Sequence, residues 1–249
     1  MGFALDEVVP WGRSYEEYIR MFDLSEADLQ RRILGCGDGP AGFNAVLIKR
    51  GGSVVSLDPI YAFDAAQIRN RISDTYETVM AEMRKNQSDY VWDVITSVEE
   101  LGRIRMSAME TFLSDFDSGK REGRYVVGEL PSLPFSDGNF DIALSSHFLF
   151  LYSNRLSAEF HLQALREMLR VDDEVRVFPV LTLEGEPSPH LGRITEHFAA
   201  RGLSVEFRRV PYEFQRGGDE MLVIHHGGNP SSVLGPGLPL VNVSPRRLP

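Results

Sequence analysis

The stretch ILGCGDGPAGFNAVLIKRGGSVVSLD, residues 33 to 58, decides the fold. An apolar strand runs into a glycine-rich turn, a helix follows, and a second strand closes on an acid. That order predicts a nucleotide-type pocket. Gly35, Gly37 and Gly39 leave room for a ligand to lie against bare backbone, and the helix behind them would offer its N-terminal amides and dipole to a carboxylate or phosphate. Asp58, about 20 residues beyond the glycines, stands where an acid accepts hydrogen bonds from both hydroxyls of a ribose.

The spacing discriminates between nucleotides. A dinucleotide fingerprint reads G-x-G-x-x-G, whereas here three glycines alternate, Pro40 follows at once, and Gly42 comes later. The segment GCGDG instead resembles motif I of the class I, Rossmann-like, S-adenosyl-L-methionine (SAM) dependent methyltransferases. Two further stretches carry the resemblance in the right order: LDPI, residues 57 to 60, and VVGELPSLPFSDGNFDIALSSHFLFLY, residues 126 to 152. The resemblance implies SAM as cofactor, with Gly35, Cys36, Gly37, Asp38 and Gly39 in the turn beneath it and Asp58 on the ribose. It also implies Pro59 and Ile60 near the adenine, Glu129 on the adenine amino group, Leu130 beside the ring, and Ser145 at the end of strand four. Where the family often has an acid two residues before the first glycine, this chain has Ile33. Asp38 is the candidate replacement for gripping the methionine amino group, its other reading being satisfaction of local backbone amides.

Composition agrees with a globular enzyme. Of 249 residues, 43% are hydrophobic and 25% charged, enough for a sizeable core within one elaborated domain, expected over residues 1–226. The formal charge of −10 repels nucleic acid unless a basic patch overrides it, and Arg208-Arg209 and Arg246-Arg247 are too short for that. Cys36, the only cysteine, rules out an intrachain disulfide and fits a reducing, cytoplasmic setting. The N-terminus reads neither as a secretory signal nor as a myristoylation site, and no apolar run is long enough to span a bilayer. Residues 227–249, rich in Pro, Gly and Ser, read as an extended or disordered tail.

Alternating patterns predict an α/β fold: a doubly wound, mostly parallel seven-stranded sheet of class I methyltransferase type, its last strand antiparallel. Strands are expected at about 32–35, 53–57, 125–129, 140–146, 174–181, 204–210 and 220–226, and helices at about 40–50, 155–170 and 190–201. Residues 14–31 read as two short amphipathic helices, the second capped by Ser25. Between strands two and three, residues 61–123 far exceed the dozen or so that a crossover needs. They hold two helical patterns, about 65–83 and 98–119, with Ile68, Ile72, Tyr76, Val79 and Met83 on one face of the first. This insertion reads either as a lid over the pocket or as a decoration that covers sheet edge or mediates dimerisation. Should it not be a lid, the N-terminal helices around Trp11, Tyr15 and Tyr18 become the place to look for substrate contacts.

Methyl transfer from a sulfonium is downhill, so alignment and exclusion of water carry most of the work. His147, just past strand four, is the candidate base, with Tyr152 second. Adjacent residues on a strand face opposite ways, which argues against a metal held by His225 and His226 together. Neither an Asn-Pro-Pro-Tyr run nor a Pro-Cys nucleophile is present. A small-molecule acceptor is the expectation, and a non-catalytic SAM- or nucleotide-binding sensor is the alternative.

Overall fold

A computed structural model describes residues 9–226 of the chain. The tail expected at 227–249 lies outside the described residues. Thirteen elements are named here in chain order: α1 Tyr15–Met21, β1 Arg32–Cys36, α2 Phe43–Lys49, β2 Ser53–Leu57, α3 Ala65–Lys85, α4 Val98–Arg121, β3 Tyr125–Val126, β4 Ile142–Ser146, α5 Ala158–Val171, β5 Glu174–Phe178, α6 Leu191–Ala199, β6 Leu203–Arg209 and β7 Glu220–His226. The strands form one sheet in the order β3-β2-β1-β4-β5-β7-β6. Pairings are parallel from β3 to β5, and β7 runs antiparallel to both β5 and β6. This is the doubly wound, mostly parallel seven-stranded sheet that the sequence predicts. Its strand order reverses beside β1, and ligands of open α/β sheets bind outside the strand ends at such a point.

The two faces follow from alternation along each strand. Ile33, Val54, Ile142, Leu144 and Val223 point to one side, where they meet α1, α2 and the insertion helices. Leu34, Leu57, Ala143, Val175 and Leu222 point to the other, against α5 and α6. A third cluster, with Ile68, Ile72, Met109, Phe112 and Phe116, packs α3 and α4 around Tyr61 and Tyr125.

Several expected boundaries move, each for a local reason. Strand three is only two residues long, because Val127 leaves the ladder and the chain enters a turn in which the Ser132 amide donates to the Glu129 carbonyl. β5 stops at Phe178 because Pro179 has no amide to give. The second N-terminal helix is a single 3-10 turn, Asp28–Gln30. Ser25 still accepts the Asp28 amide, while Asp28 accepts the Ser25 amide in return. α2 begins at Phe43 rather than near residue 40, and the Gly42 amide donates to the Arg13 carbonyl.

The insertion forms two long helices as expected, α3 opened by a capping box on Asp64 and Gln67 and α4 capped by Ser97. Beyond α3 the chain runs along the same face of the sheet to the loop between β6 and β7. The Val91 amide donates to the Phe214 carbonyl, the Arg216 amide to the Asp89 carbonyl, and Tyr90 bridges Gln215. Tyr90 stacks on Phe214 with ring centroids 4.9 Å apart, and Trp92 meets Phe214 edge-on. The insertion is thus anchored to β3 at one end and to the β6–β7 loop at the other. No helix among the described residues is long and apolar enough to cross a membrane.

Candidate functional site

A cavity of about 840 Å3 opens at the carboxyl ends of β1, β2 and β4. Its floor is the glycine turn. Gly37 and Gly39 have φ of 69° and 54°, the left-handed region in which a side chain is strained, and a Cβ on Gly37 would press within 3.1 Å of the Phe148 ring. At Gly39 an added Cβ would meet nothing within 4 Å, so the turn presents bare backbone to open space.

Asp58 closes β2 and ties the floor together. One carboxylate oxygen accepts the Gly39 amide and the other the Ile60 amide, each at 2.8 Å. Burial pushes this carboxyl above its ordinary pKa, against the pull of those two amides. Each oxygen keeps a lone pair for a further donor, as a vicinal diol requires. Pro59, Ile60, Glu129 and Leu130 line the same side of the cavity. Leu130 is buried and Glu129 exposed at the rim.

Asp38 is not satisfied by local amides. The Tyr18 hydroxyl donates to one oxygen at 2.8 Å and the Ser56 hydroxyl to the other at 2.6 Å, joining α1, the turn and β2. Burial raises its carboxyl to about 6, with the two hydroxyls opposing and the Asp58 charge adding. The side chain occupies the space a Gly35 Cβ would need, since that atom would lie 1.9 Å from an Asp38 oxygen. Gly35 therefore makes room for Asp38, and it does not line the cavity.

Two other residues expected at the ligand also lie behind the wall. Cys36 is completely buried among the side chains facing α5 and α6, and burial pushes its thiol well up. Ser145 is completely buried, and its hydroxyl has no partner among the described residues. Alternation explains the miss at Ser145: its neighbour Ser146 takes the cavity side.

His147 and Tyr152 both line the cavity. His147 has φ of 52°, an uncommon conformation for a residue with a side chain, which costs of order 1–3 kcal/mol and often marks a functional turn. Its amide donates to the Phe178 carbonyl at 2.7 Å, and its Nδ1 lies 2.9 Å from the Ser146 hydroxyl. Burial, then the positive charges of Arg13 and Arg105, drive the imidazole well below its ordinary pKa, so it is neutral. The Tyr152 phenol is raised by burial and stays protonated.

The remaining wall comes from segments with no motif to announce them. Trp11 and Arg13 enter from the N-terminal segment, Arg71, Val79 and Met83 from α3, Tyr90 from the strap that joins α3 to α4, and Phe214 from the β6–β7 loop. Of the three N-terminal aromatics singled out in the sequence, Trp11 and Tyr18 reach the cavity, whereas Tyr15 packs against Phe43.

No family model matches the chain. Among solved structures, it resembles protein PH0226 of Pyrococcus horikoshii OT3, at 11% identity and a TM-score of 0.45 over 85% of this chain and 91% of that one. It also resembles the magnesium protoporphyrin IX methyltransferase of Synechocystis with bound SAM, at 9% identity and a TM-score of 0.42 over 81% and 73%. At such scores neither likeness bears on the chemistry of this site. The uncharacterized protein MJ0045 of Methanocaldococcus jannaschii is 34% identical over 223 residues, 88% of this chain and 97% of that protein. With that identity spread over nearly the whole of both sequences, the chain belongs to the same family as MJ0045.

Proposed function

We propose that the protein transfers a methyl group from SAM to a small-molecule acceptor. The observation that carries this reading is a single cavity holding the glycine turn, Asp58 and the Glu129–Leu130 pair on one side, and His147 and Tyr152 on another. The polar groups fit the cofactor's donors: Asp58 takes the ribose hydroxyls, Asp38 the methionine amino group, and Glu129 the adenine amino group. Pro59, Ile60 and Leu130 bracket the ring. The bound cofactor supplies a methyl group on a sulfonium, and the protein has to orient the acceptor and keep water away. His147, neutral and within reach of the cavity, receives the acceptor's proton where there is one to lose, and Tyr152 positions the acceptor by its hydroxyl.

The size of the cavity favours a small acceptor. About 840 Å3 lies toward the upper end of the ~300–1,000 Å3 typical of small-molecule sites, and Tyr90 and Phe214, where the segment after α3 meets the β6–β7 loop, form part of its wall. The test is incubation with methyl-labelled SAM and a cell extract split by mass. Label is expected in the low-mass fraction and should be lost with Asp58→Asn. Binding of S-adenosylhomocysteine (SAH) without label in any fraction would instead favour a SAM-binding protein with no transfer activity.

A further inference from the structure

The cavity is lined by charges of both signs. Its carboxylates, Asp38, Asp58 and Glu129, lie at the glycine turn and the β3 side. The lining also carries Arg13, whose side chain makes a single hydrogen bond among the described residues, from Nη1 to the Trp11 carbonyl at 2.6 Å. Its buried Nε has no partner. Near enough to act on its charge is Arg105, completely buried, which donates to Glu17 through Nη1 while its Nε and Nη2 have no partner among the described residues. The other oxygen of Glu17 accepts the Tyr212 hydroxyl at 2.8 Å. Glu17 is thus paired with Arg105, and Arg13 has no carboxylate partner among the described residues, which leaves an unpaired positive charge at the cavity wall.

Such a charge is costly without an anion. The Arg13 charge bears on Tyr18, Tyr90, His147, Tyr152 and Tyr212, and on the Glu17 carboxylate. The charge on Arg13 is itself disfavoured first by burial and then by Arg105. The surrounding surface is apolar: Trp11, Val79, Met83, Tyr90, Phe148 and Phe214.

From this juxtaposition we infer that the acceptor is a carboxylic acid with an apolar or aromatic body, its carboxylate held by Arg13 and its body lying between α3 and Phe148. This rests on the methyltransferase reading and names the acceptor's class. His147 and Tyr152 line the same cavity. The guanidinium presents two parallel N–H groups, which suits a carboxylate better than a lone charge would.

The test measures binding by calorimetry to the full chain saturated with SAH, using three matched pairs: benzoate and benzamide, 3-phenylpropanoate and its amide, hexanoate and hexanamide. At least one acid is expected to bind tenfold or more tightly than its amide. Arg13→Gln should erase that preference and leave SAH affinity within twofold, while Arg13→Lys should keep part of it. Equal binding of every acid and amide to the unmodified protein overturns the inference without recourse to any variant. So does a tenfold loss of SAH affinity in Arg13→Gln, which would assign the arginine to the cofactor's own carboxylate. Failure of SAH to bind the unmodified protein would strike the methyltransferase reading itself and is read separately, in the saturation step.

Discussion

Asp58 and Asp38 sit twenty residues apart and end in the same cavity, yet their surroundings give them different work. Asp58 takes two backbone amides and keeps lone pairs for the ribose. Replacing it by Asn should weaken SAH binding at least tenfold, about 1.4 kcal/mol or more, because two hydroxyls lose a charged acceptor. Calorimetry on a variant with an unchanged melting transition checks this, and unaltered affinity would remove Asp58 from the site. Asp38 makes a prediction about pH. Burial lifts its carboxyl to about 6, above the ordinary 3.8, so between roughly pH 4 and 6 the folded state holds a proton that the unfolded chain has released. Its contribution to stability therefore falls as pH rises through that window and is constant above it, an effect of the order of 3 kcal/mol. Binding has the opposite sense: the ionised form pairs with the cofactor's amino group, so SAH affinity should drop as pH falls below about 6. Asp38→Asn should flatten both profiles. A binding profile that stays pH-dependent in that variant would assign the titration to another group. Asp58 was legible from its place after a strand, whereas the partners of Asp38, Tyr18 and Ser56, come from other segments that no local pattern connects.

At the scale of elements, the insertion is both a cover for the sheet edge and a wall of the cavity. Phe112, Phe116 and Tyr61 build a core over β3, while Val79, Met83 and Tyr90 face inward. The two helices were readable because apolar residues recur on one face and each start carries a cap. The route of the strap was not, because Tyr90 meets Phe214 across more than a hundred residues. Amide exchange over residues 79–92 is expected to slow when SAH is added, since ligand contact on the inner side stabilises the backbone bonds above it. Mass-resolved exchange at several protein concentrations separates this from dimerisation, in which protection would follow concentration and ignore SAH.

For the molecule as a whole, Glu17 is the residue that joins distant parts of the chain. It receives Arg105 from α4 and Tyr212 from the segment after β6, and its acceptance of the Ser14 amide caps α1. Burial alone would raise its carboxyl, but Arg105 and Arg13 outweigh burial and hold it at about 2. Arg105→Met should cost roughly 3 kcal/mol in denaturant unfolding at neutral pH, because a buried carboxylate loses its nearest partner, and adding Glu17→Gln should recover part of that. The folded pKa lies below the ordinary 4.5, so this stabilisation is full above that value and is lost as pH falls toward 2. Glu17→Gln should therefore unfold less steeply than the parent over that range, and identical acid transitions would deny the group this role. The sequence by itself determined the alternating α/β order, the glycine turn and the acid that follows it, because strand and helix periodicity, left-handed turns and caps act over a few neighbouring residues. Only the tertiary structure decided that Gly35 houses Asp38, that Cys36 and Ser145 face away from the cavity, and that Arg13 lines it. Those outcomes depend on which side chains meet across the sheet, and packing at that range leaves no periodic trace along the chain.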